Sequence, residues 1–183
     1  MDISKIFSKY PDIQKTKYTD FYQRYFANLT PKILLEIGVL KGDSLRAWKD
    51  IFPTCKVIGI DINPLCKSEN SDLEVYIGNQ KDIKFLSNVL NEVGSPDIII
   101  DDGGHKRSEQ IESFKFLFPR LLPNSLYIIE DLQTNYLKNW NDQELSAIDY
   151  LKSLIDFKDY PEISYKSITF EPNNNQSICA IRK

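Results

Sequence analysis

The chain has 183 residues, 42% of them hydrophobic and 12% aromatic, which suits one domain able to bury a core. Its 23 Lys and Arg against 26 Asp and Glu leave a net charge of −3, so there is no general attraction to phosphate backbones or anionic lipid, and neither nucleic acid nor membrane is expected as a partner. Cys55, Cys66 and Cys179 show no Cys-x-x-Cys spacing and read as reduced thiols, while charges from Lys5 to Arg24 leave no apolar stretch for a signal peptide or membrane span; a cytoplasmic setting is expected.

Residues Ile3 to about Leu29 read as one or two amphipathic helices around Pro11, with Phe7, Tyr10, Tyr18, Phe21, Tyr22 and Phe26 near helical spacing. This segment, residues 1–30, is expected to pack on the sheet edge or cap a ligand site. The next stretch, Lys32 to Gly42, organises the rest. Its Ile-Leu-Leu run lacks polar alternation, as in a central parallel strand covered on both faces, and it stops at Glu36. Gly38 and Gly42 then permit a sharp turn with no Cβ between backbone and ligand, and Asp43-Ser44 can cap a helix through Leu45, Trp48 and Ile51. Val57 to Ile60 is a second buried strand, ending on Asp61, an acid placed to accept hydrogen bonds from ribose hydroxyls.

Residues 63–72 read as a polar loop, and Leu73 to Ile77 as a third strand closing on Gly78-Asn79-Gln80, whose amides suit an adenine edge. A helix from Lys81 to about Val93 is stopped by Gly94 and Pro96. Asp97 to Ile100 is the fourth strand, with Asp101-Asp102-Gly103-Gly104-His105 at its carboxyl end, the ligand edge of an open α/β sheet. Ser108 can cap a helix through Ile111, Phe114 and Leu117, and Leu126 to Ile129 is a fifth strand ending on Glu130-Asp131. A loop from Leu132 to Asn141, a helix near Gln143 to Phe157 and two strands, Ile163 to Phe170 and Ser177 to Ile181, complete the chain. Five β-α units and a terminal hairpin predict an α/β, doubly wound sheet in a single domain spanning 1–183.

Asp101, Asp102, Glu130 and Asp131 stand at the ends of strands expected to be neighbours. Four carboxylates at that spacing repel one another unless something positive sits between them, and hard oxygen ligands point to Mg²⁺ or Mn²⁺. Lys106 and Arg107 offer a plainer pairing for one acid, though not for both pairs. His105, the single histidine, follows Asp102 by three positions, where it can act as general base or merely begin a helix.

The pattern Glu36-x-Gly38-x-x-x-Gly42 with Asp61 resembles the first two motifs of class I S-adenosylmethionine-dependent methyltransferases. It is not the nicotinamide fingerprint, which needs a third glycine; an oxidoreductase is disfavoured on that ground. Asp102-Gly103-Gly104-His105, with Glu130-Asp131 beginning 28 positions after Asp102, is similar to the metal-dependent sugar O-methyltransferases of the mycinamicin and macrocin type, and also to catechol O-methyltransferases. The resemblance implies a Rossmann-like sheet of seven strands with the last antiparallel, S-adenosyl-L-methionine as cofactor, and Mg²⁺ or Mn²⁺ on Asp102, Glu130 and Asp131. It makes His105 the catalytic base and turns Glu36, Gly38, Gly42, Ser44, Asp61, Ile62, Asn79, Gln80 and Asp102 toward the cofactor. The implied activity is methylation of a hydroxyl on a sugar, glycan or nucleotide sugar. Alternatives are a catechol-type small-molecule enzyme and a non-catalytic S-adenosylmethionine-binding module. The expected partner is a small-molecule or glycan acceptor, with room for a homo-oligomer, and the chain is expected to lack the added N-terminal region of the macrolide enzymes.

Overall fold

The computed structural model describes residues 2–156, 167–173 and 176–183. The apolar runs become strands β1 (Ile33–Ile37), β2 (Lys56–Asp61), β3 (Glu74–Ile77), β4 (Ile98–Asp101) and β5 (Leu126–Ile129), followed by β6 (Ser167–Asn173) and β7 (Gln176–Arg182). They form one sheet in the order β3-β2-β1-β4-β5-β7-β6. The pairs β1·β2, β1·β4, β2·β3 and β4·β5 are parallel, whereas β7 runs antiparallel to both β5 and β6. The expected seven-stranded α/β sheet with an antiparallel last strand is therefore present.

Side chains alternate between the two faces of each strand. Leu34, Ile98, Ile100, Leu126 and Ile128 join one core, packed with Phe7, Tyr22, Phe26 and Trp48 from helices α1 (Ile3–Phe7), α2 (Thr19–Phe26) and α3 (Asp43–Ile51). Leu35, Ile99, Tyr127 and Ile129 join the other, under α5 (Ile83–Val93), α6 (Arg107–Leu117) and α7 (Ala147–Asp156). Both faces are covered, which is why these strands are uniformly apolar. In the N-terminal segment a 3₁₀ turn, Gln14–Tyr18, links α1 to α2.

Several expected boundaries move. Within the expected polar loop 63–72 the chain forms a short helix α4 (Leu65–Glu69), which buries Cys66 and is preceded by Pro64 as its cap residue. Helix α3 is capped by Gly42 rather than by Asp43-Ser44, and α5 starts after Asp82, whose carboxylate accepts from the Lys84 and Phe85 amides. Ser108 does not cap α6: it lies inside the first turn, its hydroxyl bonded to Asp142, and Lys106 precedes the helix with its amide donating to Glu109. Helix α7 begins at Ala147, not near Gln143. The expected helix end at Phe157 and strand start at Ile163 lie outside the described residues. Among the described residues no helix is long and apolar enough to cross a membrane.

Candidate active site

The carboxyl ends of β1, β2 and β4 meet at the glycine turn. Gly38 has φ +95°, and a Cβ there would lie 2.8 Å from the Asp102 carbonyl carbon and 3.2 Å from Gly103 Cα, so only glycine lets the two strand ends close up. Asp61 fastens the turn to β2: its Oδ2 accepts from the Val39 and Leu40 amides at 2.8 and 3.2 Å, and its Oδ1 from Asn63 at 2.8 Å. Above the turn opens a cleft of ≈ 360 Å³ lined by Gly38, Ser44, Asp61, Asp102, His105, Glu130 and Asp131, with Lys15 and Lys17 from the N-terminal segment. An adjoining cavity of ≈ 160 Å³ shares Gly38, Asp61 and Gly103 with it and adds Ile62, Asn79 and Gln80.

Two of the cofactor-side residues read from the sequence line neither space. Gly42 serves as the α3 cap. Glu36 is fully buried beneath the turn, accepting from Ser44 Oγ at 2.7 Å and Trp48 Nε1 at 3.0 Å. Gln80 reaches the smaller cavity but braces its walls, donating to Asp101 at 3.1 Å and accepting from the Gly104 amide at 2.9 Å. Asn79 accepts from Lys81 at 2.8 Å.

The four expected acids do not form one cluster: Asp101 lies apart, and Glu130 and Asp131 fall in separate groups that share Asp102. Strand alternation puts Asp101 on the face opposite Asp102. There it is buried under hydrogen bonds from Ser113, Gln80 and Tyr127, and burial pushes its carboxyl up to about 6. Glu36 takes its place, since it shares the face of Ile100 and Ile128 in register. Glu36, Asp102 and Glu130 surround Lys15 Nζ at 2.9, 2.6 and 2.6 Å. Sequence reasoning missed this lysine. Its only signal is a charge embedded in the aromatic stripe of the N-terminal segment; in the structure its ammonium lies over the Trp48 ring, 6.0 Å from the centroid. Burial works against the Lys15 charge, but the three carboxylates outweigh it and hold its pKa well above the ordinary value. Burial and the Asp102 charge push Glu130 up to about 8, and its Oε1 also accepts from Tyr22.

Asp131, separated from β5 by Glu130, adopts φ +53° and lines the cleft. Lys17 and Tyr18 donate to its Oδ1 at 2.6 and 2.7 Å; burial raises its pKa, yet these bonds prevail and hold it below the usual carboxylate range. His105, also at positive φ (+59°), directs Nε2 to 3.9 Å from Asp102 Oδ1 and 4.0 Å from Asp131 Oδ2. Its Nδ1 is buried with no hydrogen-bond partner. Arg107 does not pair with these acids but donates to the carbonyls of Asn135, Gln143 and Glu144.

Ligand atoms of Asp102, His105 and Asp131 all lie within 4.8 Å of one another, as do those of Glu36, Asp102 and Glu130. The donors are mainly hard carboxylate oxygens, and two of them, Asp102 Oδ1 and Asp131 Oδ2, face the same imidazole. That donor set fits a hard divalent cation better than zinc.

No family model matches the chain. MycE methyltransferase, in complex with Mg, SAH and mycinamycin VI, superposes with a TM-score of 0.85 and 30% identity over 100% of this chain and 54% of that one. Mycinamicin VI 2″-O-methyltransferase of Micromonospora griseorubida is 34% identical over 173 residues, 86% of this chain and 42% of that protein. The chain belongs to the class I methyltransferases. The tetracenomycin-C rhamnosyl 2′-O-methyltransferase of Streptomyces olivaceus is 34% identical over 152 residues, 76% of this methyltransferase chain and 40% of that protein. The chain spans less than half the length of the curated relatives it matches. An O-methyltransferase from Bacillus cereus in complex with SAH, at 14% identity and TM-score 0.63, shares the fold alone.

Proposed function

We propose that this methyltransferase domain, residues 1–183, transfers a methyl group from S-adenosylmethionine to a hydroxyl of a sugar, glycan or nucleotide sugar with the help of Mg²⁺ or Mn²⁺. The observation that carries the reading is the single histidine set about 4 Å from two carboxylates on neighbouring strand ends, at the mouth of a glycine-turn cleft. The relatives support it: those above are named as O-methyltransferases acting on mycinamicin VI and on a rhamnosyl tetracenomycin, and the MycE complex contains Mg and SAH. When bound, S-adenosylmethionine supplies an electrophilic methyl group, and a divalent ion lowers the pKa of the acceptor hydroxyl and fixes its direction.

The chain's own residues divide the work. Asp61 keeps acceptor capacity for ribose hydroxyls beyond its three backbone bonds, since a carboxylate offers about four lone-pair sites. Ile62, Asn79 and Gln80 wall the cavity for the adenine, while Gly38 and Ser44 leave space for the methionine tail, whose amino group meets Asp102. Glu36 and Gly42 act from beneath by holding the turn. Asp102, Glu130 and Asp131 hold the ion. His105 takes the hydroxyl proton at Nε2, and the imidazolium so formed lies between the Asp102 and Asp131 carboxylates. The N-terminal segment covers the cleft through Lys15 and Lys17 and limits water entry.

Incubating the protein with S-adenosylmethionine and Mg²⁺ against sugar nucleotides, glycan fragments and catechols tests this. A mass gain of one methylene on a sugar acceptor is expected. Methylation of catechols alone would move the acceptor class, and failure of S-adenosylmethionine to bind in calorimetry would overturn the reading.

A further inference from the structure

The two acid clusters share Asp102 but differ in what fills them. The deeper one, Glu36 with Asp102 and Glu130, is occupied by the Lys15 ammonium. The outer one, Asp102 with His105 and Asp131, holds no ammonium between its members; Lys17 binds Asp131 through Oδ1, and the oxygen facing His105 is Oδ2. Asp102 divides its oxygens the same way, Oδ2 to Lys15 and Oδ1 toward His105. Each of these acids therefore spends one oxygen on a lysine of the 3₁₀ turn and turns the other to the imidazole.

We propose that Lys15 is a positioning residue that acts as a resident cation: it neutralises the deeper cluster, fixes which oxygens Asp102 and Glu130 present, and confines an added divalent ion to the oxygens of Asp102, Glu130 and Asp131 that it does not itself bind. This rests on the divalent-ion reading above. Three buried carboxylates without a counter-charge cannot all stay ionised, so a cation in the deeper cluster is a condition of having the charges there at all. Lys15 meets that condition with a tethered charge, itself 2% exposed. A unit charge so close to the ligands also repels an incoming divalent ion, which lowers its affinity and excludes a second ion from the deeper cluster. A purely structural lysine, pinning the N-terminal segment to the sheet, would have no such effect on ion binding.

The test is Mn²⁺ binding followed by electron paramagnetic resonance, with Mg²⁺-dependent thermal stability as a second readout, on the wild type, Lys15→Arg, Lys15→Met and the double variant Lys15→Met/Glu36→Gln. The wild type and Lys15→Arg should take one ion with similar affinity. Lys15→Met should bind Mn²⁺ about tenfold more tightly or take a second ion, and its melting temperature should depend more steeply on Mg²⁺; Glu36→Gln in that background should remove the gain. Wild-type affinity and stoichiometry in Lys15→Met would overturn the role of Lys15 while leaving the ion site standing. No Mn²⁺ binding by any of the four proteins would take down the divalent-ion reading and this proposal with it. If Lys15→Met folds only in the presence of a divalent ion, the ion has replaced the ammonium and the proposal is supported; if no ion restores its fold, the proposal fails.

Discussion

Replacing Gly38 by alanine is the sharpest probe of how the cleft is built. Two separable costs arise. The first is conformational: φ is +95°, and a left-handed backbone costs an L-residue about 1–2 kcal/mol. The second is steric: the new Cβ would stand 2.8 Å from the Asp102 carbonyl carbon and 3.2 Å from Gly103 Cα, and closer still to the Asp102 oxygen, where ordinary carbon contacts are about 3.5–4.0 Å. The neighbour is backbone at a buried strand end and cannot rotate away, so relief requires shifting the end of β4, an overpacking cost of about 1–3 kcal/mol. The sum, about 2–5 kcal/mol, corresponds in a chain of this size to a melting temperature lower by roughly 4–20 °C. Gly94 supplies the control. Its φ is +90° with ψ −175°, a region essentially confined to glycine, but a Cβ there would meet only Ile33 Cδ1, at 3.4 Å, so Gly94→Ala should show a conformational cost of about 1–3 kcal/mol with no clash. Urea unfolding of both variants compares a site with a clash and a site without one, and Gly38→Ala is expected to lose more stability. Equal losses in the two variants would refute the idea that Gly38 exists to bring β1 and β4 together. The same shift moves Asp102, so Gly38→Ala should also weaken Mn²⁺ binding, whereas Gly94→Ala should not.

Three further outcomes follow from the site. Asp61→Ala removes the acceptor for the Val39, Leu40 and Asn63 amides as well as for the ribose, so S-adenosylmethionine affinity should fall by about 1–3 kcal/mol; unchanged affinity in titration calorimetry would remove Asp61 from the site. Chelation with EDTA should abolish turnover while leaving S-adenosylmethionine binding largely intact, and Mg²⁺ should restore it; full turnover in metal-free buffer would leave Asp102, Glu130 and Asp131 without an ion. His105→Asn should lower turnover by about 10²- to 10⁴-fold with little change in cofactor affinity. Asparagine tolerates the +59° backbone at that position, so near-normal turnover in a folded variant would reduce His105 to a residue that begins a helix.

Most of the sheet was legible because the strands are covered on both faces, and double coverage writes itself into the chain as short, uniformly apolar runs such as Ile33-Leu34-Leu35 and Ile98-Ile99-Ile100. The strand ends were legible for the same reason: Asp61, Asp102, Glu130 and Asp131 are where those runs break. Helix starts were less so. Ser108 has the chemistry of a cap, yet Asp142, 34 positions later, claims its hydroxyl and amide, and the helix begins one residue before it. A local signal was overruled there by a partner that no local pattern names. Residues 63–72 were misjudged in the opposite sense, since a single buried thiol at Cys66 is enough to dock one helical turn whose other residues are exposed.

The membership of the acid cluster shows a different limit, because the information was present in the sequence and depended on parity. Asp101 and Asp102 are adjacent, and a β-strand sends adjacent side chains to opposite faces, so at most one of them could join an acid on the same face of β5. Counting along β4 from Ile100, which shares a face with Leu34 and Ile128, excludes Asp101 and admits Glu36, two residues beyond Leu34 on β1. The face chosen is the one that the N-terminal segment covers, and this determines the counter-charge. An ammonium can reach these acids only from a segment lying on that face. Lys15 comes from 87 positions before Asp102 and 115 before Glu130, so no spacing rule links them. What could have pointed to it is a matter of charge: three carboxylates facing one covered side of a sheet require a cation, and the segment that covers them brings Lys15 and Lys17 together in its connecting turn.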